Sequence, residues 1–163
     1  MDGYLLDTNT ITFWWRKEAK VLEHISALAG KAPILMSVVS LGEVEYGHRV
    51  VAPDGETPVQ TEYKEFIRDK FPYPLDFSKT TTQCYGVLRA RLFQEFAPRE
   101  KKNKGLLPEQ LVDPVTGKEL GIQENDLWIA AQAVERNLVL VTHDAMARIR
   151  GVANELIVVD WMH

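Results

Sequence analysis

Four carboxylates in this sequence are of a type and spacing that could do chemistry together: Asp7, Glu43, Asp126 and Asp144. Each follows a short apolar run or stands at the opening of a helical pattern. In a chain that alternates strands and helices, the carboxyl ends of parallel strands meet at one edge of the sheet. We therefore expect acids that are far apart in the sequence to gather at that edge.

Four gathered carboxylates need a cation. Two like charges about 4 Å apart repel by about 4 kcal/mol at an effective dielectric constant near 20. A divalent ion removes this repulsion, and oxygen-only ligands suit Mg²⁺ or Mn²⁺, which also bind phosphates well. Cys84 is the only cysteine, so the sequence excludes an internal disulfide and a thiolate metal cluster. We expect Cys84 to be a buried helix residue.

Each acid also has a structural explanation when it is taken singly, because carboxylates cap helix N-termini. Residues 40–43 match a capping box, in which Glu43 would bond the backbone amide of Ser40. Asp126 and Asp144 could likewise cap the helices that they precede. For Asp7 a cap is less expected, since the two residues after it are better placed to cap the next helix.

The apolar runs predict five strands with helices between them. This alternation is typical of an α/β three-layer sandwich with a five-stranded, mainly parallel sheet. The third strand is weakly supported, because Pro72 and Pro74 remove ladder donors. The expected strands are residues 4–6, 34–39, 75–77, 138–141 and 156–159.

Length and composition indicate one ordinary globular domain over residues 1–163. The 45% hydrophobic and 26% charged content suggests neither disorder nor a membrane span. The first residues lack the basic and apolar regions of a signal peptide, so we expect a cytoplasmic protein. Residues 99–121 hold five glycines and prolines and break the pattern, which predicts a long loop or insertion directly before Asp126.

A net charge of −4 gives no overall attraction for nucleic acid, so a polyanion would need a local basic patch. A basic run late in the longest predicted helix and just after it could contact phosphates. A solvated helix face explains the run equally well. Trp14 could stack on an unpaired base, although core packing is an alternative for it and its neighbour Trp15. The basic run consists of Arg89, Arg91, Arg99, Lys101, Lys102 and Lys104.

Four segments resemble the motifs of the PIN-domain ribonucleases, in particular the VapC-type toxins of bacterial and archaeal toxin–antitoxin pairs. No single segment is specific, but the four occur in the family's order at fitting intervals. They are residues 4–9 (YLLDTN), 37–47 (SVVSLGEVEYG), 124–131 (ENDLWIAA) and 140–144 (LVTHD).

The resemblance implies a PIN-like sheet whose four acids hold Mg²⁺ or Mn²⁺ and cleave RNA phosphodiester bonds. Asn9 and Thr142 would be supporting polar residues. A VapC-type toxin would also have a cognate antitoxin and form a homodimer. His143 is expected to be a surface residue and not a general base. Residues 99–121 make the approach to Asp126 longer than in the compact toxins, which leaves the substrate and the partner more open than the chemistry.

Three other functions remain open from the sequence. The chain could be a housekeeping PIN-domain nuclease that processes RNA, or a non-catalytic PIN-fold binding module whose acids serve only as caps. Residues 7–10 also loosely resemble the aspartyl nucleophile motif of haloacid dehalogenase-like phosphotransferases, with Asp7 as nucleophile. That family normally has a second aspartate where this sequence has Asn9, and it needs a lysine that no predicted strand end supplies.

Overall fold

A computed structural model describes residues 2–97, 105–144 and 146–163. Its centre is a parallel sheet of four strands in the order β2-β1-β3-β4. Three-residue strands suffice for β1, β2 and β3 because these strands are apolar, buried or half-buried, and each is followed by a helix that packs on the sheet; β4 is the edge strand, with Ile157 exposed. The strands are β1 (Tyr4–Leu6), β2 (Ile34–Met36), β3 (Val139–Val141) and β4 (Ile157–Val159).

Seven α-helices lie in the described part of the chain, and none there is long and apolar enough to cross a membrane. The longest, α5, begins after Ser78, whose side chain accepts hydrogen bonds from two backbone amides of the first turn. The helices are α1 (Thr8–Trp15), α2 (Ala19–Leu28), α3 (Val38–Val51), α4 (Pro58–Lys70), α5 (Lys79–Phe96), α6 (Glu124–Glu135) and α7 (Ala147–Val152).

The core divides into two apolar clusters, one on each face of the sheet. Successive strand residues point to opposite faces, and Leu5 and Leu6 accordingly belong to different clusters, both fully buried. Side chains from α5, α6 and α7 pack with Leu5, and side chains from α1, α2, α3 and α4 pack with Leu6. The three-layer α/β prediction is therefore confirmed.

The prediction of five strands is wrong for the described residues, because the third strand is reduced to a single bridge. Leu75 pairs with Ser37, accepting from Val38 N and donating to Met36 O, and no ladder continues beyond it. Pro74 precedes it and offers no donor. The buried Gln132 of α6 donates its Nε2 to the same Leu75 carbonyl at 2.9 Å, as a second donor beside Val38 N.

The stretch predicted as a loop at 99–121 is ordered where it is described. It holds a 3₁₀ turn at Pro108–Gln110 and an antiparallel bridge between Val112 and Glu119. Between the bridged residues, Asp113 accepts hydrogen bonds from two backbone amides of its own turn and forms an ion pair with Arg148 of α7. This insertion is thus fastened to the helix that follows Asp144. Residues 98–104 lie outside the described part.

Candidate functional site

Asp7 directly follows β1 and caps α1. Its backbone amide donates to Val141 O of the neighbouring strand at 3.0 Å, and its Oδ1 accepts from Thr10 N at 2.6 Å. The expectation that the next two residues would cap α1 is wrong, because the helix already begins at Thr8. The Thr142 hydroxyl also bonds the Asp7 side chain, which is only 5% exposed. Thr142 therefore supports Asp7 from the end of β3.

Glu43 lies in the second turn of α3 and has no capping role. The capping box predicted at residues 40–43 is wrong, because α3 begins at Val38 and Ser37 is its cap, accepting from Val39 N at 3.0 Å. Glu43 instead accepts a hydrogen bond from the Thr8 hydroxyl on one carboxylate oxygen and from Asn125 Nδ2, at 3.0 Å, on the other. These bonds connect α3 to the starts of α1 and α6.

Asp126 and Asp144 approach the site from α6 and from the turn after β3. Asp126 does not precede α6 as predicted but is its third residue, and its Oδ2 accepts from Gln123 N at 2.9 Å, so it caps the helix from inside the first turn. Asp144 follows β3 in an exposed turn and caps no helix among the described residues. Its backbone amide donates to the Thr142 hydroxyl, and its Oδ2 accepts from Asn9 Nδ2 at 3.2 Å.

All four acids line one cavity of about 550 Å³. Its other described walls are Thr8 and Asn9 at the start of α1, an apolar side of Ile129, Met146 and Ile149, and residues 120–123 of the insertion. No lysine or arginine lies among the described residues that line it. The cavity therefore combines negative charge with partial burial and has no cation of its own among them.

The charges in the cavity act on one another. Burial, and then the negative charges of Asp144, Glu43 and Asp7, raise the pKa of Asp126 to about 6. Burial and the charge of Asp144 likewise raise the pKa of Asp7, against the lowering effect of its hydrogen bonds. Both shifts mean that the metal-free cavity disfavours full ionisation.

The donor set fits a hard divalent cation. Every charged ligand in the cavity is a carboxylate, and Mg²⁺ and Mn²⁺ prefer oxygen. Hydrogen bonds hold the four acids on separate walls, and within the described residues they do not form a group whose oxygens all lie within 4.8 Å of one another. Mg²⁺ keeps several of its waters and takes few protein ligands, so one or two of these carboxylates could bind it directly and the others through its waters.

The basic residues predicted to contact RNA lie elsewhere where they are described. Arg89 bonds Glu124 and Tyr85, and Arg91 bonds Glu155 and the Val152 carbonyl. Neither lines the acidic cavity. Arg99, Lys101, Lys102 and Lys104 fall outside the described residues. A role of this run in RNA contact stays a prediction.

Trp14 and Cys84 are placed differently from what the sequence predicted. Trp14, predicted as a stacking platform, packs edge-on against Phe66 and Phe71 in the core cluster of Leu6. Cys84 is half-buried on α5 and not fully buried as expected.

Thr8 and Asn125 hold Glu43 and were not predicted as site residues. The available signal was that each adjoins a predicted acid.

Comparison with solved structures connects this fold to known proteins, whereas no family model and no curated protein matches the sequence. The chain is similar to the crystal structure of VapBC2 from Rickettsia felis bound to a promoter DNA fragment. The identity is 25%, the TM-score is 0.69, and the match covers 97% of this chain and 98% of that chain.

Two further structures give the same fold. VapBC-1 from nontypeable Haemophilus influenzae matches at 22% identity and a TM-score of 0.69, covering 98% of each chain. DNA-bound VapBC from Salmonella typhimurium matches at 20% identity and a TM-score of 0.65, covering 99% of each chain. The protein therefore has the fold of these VapBC structures, and the PIN-like fold predicted from its four motifs is confirmed.

Proposed function

We propose that this protein is a Mg²⁺- or Mn²⁺-dependent endoribonuclease and the toxin of a toxin–antitoxin pair. The observation that carries the nuclease part is the cavity, in which carboxylates from four separate elements meet without a lysine or arginine among the described lining residues. Caps of helices that follow parallel strands lie at this edge of the sheet in any case, so the acids that cap no helix carry the argument. Asp7 and Asp126 do serve as caps, but Glu43 does not, and Asp144 caps no described helix.

The residues of the cavity would have two roles, binding the cation and orienting the residues that bind it. Asp7, Glu43, Asp126 and Asp144 would hold the cation, which when bound supplies a Lewis acid that activates water and stabilises the departing oxyanion. Thr8 and Asn125 orient Glu43, Asn9 orients Asp144, and Thr142 orients Asp7. Burial, and then the neighbouring negative charges, raise the pKa of Asp126 to about 6, and a bound cation would favour its ionised form.

The rival chemistry of an aspartyl phosphotransferase is not favoured by this geometry. Asp7 is almost fully buried and its Oδ1 is held by Thr10 N, which leaves it poorly placed as a nucleophile. The lysine that would stabilise a phosphoaspartate is not among the described residues that line the cavity. A trapped acyl-phosphate on Asp7 would nevertheless overturn the nuclease proposal.

Metal linkage tests the nuclease proposal. Mg²⁺ at about 100 times its Kd should stabilise the protein by about 2.7 kcal/mol, equivalent to about 5–10 °C in Tm for a chain of this size. Asp7→Asn should remove most of that gain and abolish cleavage of a mixed RNA substrate. Asparagine caps helices as well as aspartate, so the variant should fold. Thermal unfolding at a series of Mg²⁺ concentrations, followed by a cleavage assay, measures both effects.

Asp54→Asn is the matched control, because it removes the same charge from an exposed residue outside the cavity. The control should keep both the metal response and the cleavage. A protein that neither gains stability with Mg²⁺ or Mn²⁺ nor cleaves RNA would contradict the proposal and favour a non-catalytic binding module.

The toxin part rests on likeness to complexes named VapBC, chiefly the one from Rickettsia felis. We propose that a small antitoxin binds this chain and covers the acidic cavity, and that the chain forms a homodimer. A housekeeping nuclease with the same chemistry would have no such partner.

Expression in a bacterial host distinguishes these two roles. The unchanged chain, induced alone, should arrest growth, and the Asp7→Asn variant should not. Co-expression of the neighbouring small reading frame should restore growth and give a complex that co-purifies with the chain. Normal growth of cells that contain active, RNA-cleaving protein would contradict the toxin role and leave the nuclease chemistry standing.

A further inference from the structure

A second group of metal-ligating side chains lies outside the acidic cavity, at the ends of β3 and β4. His143, Asp160 and His163 offer ligand atoms that all lie within 4.8 Å of one another. We propose that these three residues form a binding site for a divalent transition metal of the Zn²⁺ class. The proposal does not depend on the nuclease function.

The fold brings the three residues together for a simple reason. β3 and β4 are neighbouring parallel strands, and Thr142 N donates to Val159 O at 3.0 Å, so the residues just after the two strands lie side by side. Thr142 and Asp160 are those residues, and His143 follows Thr142 directly. The turn that follows β4 is anchored by Trp161, which is 3% exposed, and it returns His163 toward Asp160.

The ligand atoms are already oriented. Met162 N donates to Asp160 Oδ1 at 2.8 Å, which leaves Oδ2 to face both histidines. His143 Nδ1 lies 2.9 Å and His163 Nε2 lies 3.4 Å from this Oδ2. Ligand atoms on one tetrahedral zinc ion, at about 2.0–2.1 Å from the metal, lie about 3.3 Å apart. Small side-chain adjustments would therefore admit an ion between the three ligand atoms.

The ligand types separate this site from the acidic cavity. Two imidazole nitrogens and one carboxylate suit Zn²⁺, Co²⁺ or Ni²⁺, whereas Mg²⁺ prefers oxygen ligands alone. The side chains of His143 and His163 are 44% and 79% exposed, so an ion could enter directly from solvent and keep water in its remaining positions. A bound ion would tie the turn that carries Asp144 to the segment after β4.

Cobalt titration tests the proposal on the chain of residues 1–163 without a histidine tag. Excess Mg²⁺ is present to compete with Co²⁺ for the acidic cavity. One equivalent of Co²⁺ should bind with visible ligand-field absorption, and Zn²⁺ should displace it. His143→Ala and His163→Ala should each weaken binding by at least about tenfold, because each removes one of three protein ligands.

His24→Ala is the matched control, since His24 is exposed and stacks on Trp161 without belonging to the group. It should keep the full Co²⁺ signal. The Asp7→Asn variant should also keep it, which separates this site from the acidic cavity. Equal affinity and stoichiometry in the unchanged protein and in a His143→Ala, His163→Ala double variant would overturn the proposal.

Discussion

Asp126→Asn is expected to make the metal-free protein more stable at pH 7 and to lower RNA cleavage by about 10²-fold or more. Both effects follow from the loss of the negative charge of Asp126, which the cation needs and the metal-free cavity disfavours. Asp126 is partly buried among three other acids, and burial with their charges raises its pKa to about 6. Asparagine keeps an oxygen that can accept from Gln123 N, but it has no charge to bury or to repel its neighbours.

The direction of the pH dependence follows from that raised pKa. The folded, metal-free protein holds the Asp126 proton up to about pH 6, whereas the unfolded chain releases it near the ordinary value of 3.8. The folded state therefore binds more protons between these values, and its stability falls as the pH rises through that window. The shift corresponds to at most about 3 kcal/mol, and solvent screening of a partly exposed carboxylate reduces it to about 1–2 kcal/mol.

Urea unfolding at pH 4.5 and pH 7, with and without Mg²⁺, measures this prediction. Without metal, the difference in unfolding free energy between Asp126→Asn and the unchanged protein should be small at pH 4.5 and favour the variant at pH 7. With Mg²⁺, the unchanged protein should regain the difference, because a bound cation neutralises the cavity. If Asp126→Asn is less stable than the unchanged protein at both pH values without metal, the cavity does not store charge repulsion.

The sequence predicts the positions of the acids better than it predicts their local roles. Asp7, Asp126 and Asp144 adjoin strands or helix starts whose apolar runs are unambiguous, and parallel pairing leaves such residues one edge on which to meet. Their convergence on one cavity follows from the order of the strands in the sheet. Clear apolar runs such as residues 138–141 do most to locate those strands.

Helix boundaries were less predictable, because several residues competed for each cap. Ser37 and Ser40 are both good caps by type, and only the end of β2 at Met36 decides for Ser37. Asp7 prevails over the two residues after it for a similar reason, since β1 ends at Leu6 and the helix begins at once.

Long-range polar contacts were not predictable from the sequence. Gln132, buried in α6, donates to the Leu75 carbonyl, which also accepts from Val38 N in the single bridge to Ser37. Nothing in the local pattern of α6 indicates that bond. The ion pair between Asp113 and Arg148 likewise depends on how the insertion folds back over α7.

Glu43→Gln is expected to abolish cleavage while leaving the stability of the metal-free protein within about 0.5 kcal/mol. Glu43 does not cap α3, so the variant loses no helix cap. Its two partners, the Thr8 hydroxyl and the Asn125 amide, can each serve as donor or acceptor, so a glutamine can keep both hydrogen bonds. What the variant loses is the negative charge that would hold the cation.

Ser37→Ala is the matched control for Glu43→Gln, because it should lower stability and leave cleavage unchanged. Ser37 is fully buried and caps α3, so its loss should cost about 0.5–2 kcal/mol of stability. Cleavage at a temperature where the protein stays folded should remain close to that of the unchanged chain, since Ser37 does not line the cavity. Urea unfolding and a cleavage assay on both variants should therefore separate stability from activity. A Glu43→Gln protein that unfolds as readily as Ser37→Ala would show instead that Glu43 stabilises the fold, and its lost cleavage would then say nothing about metal binding.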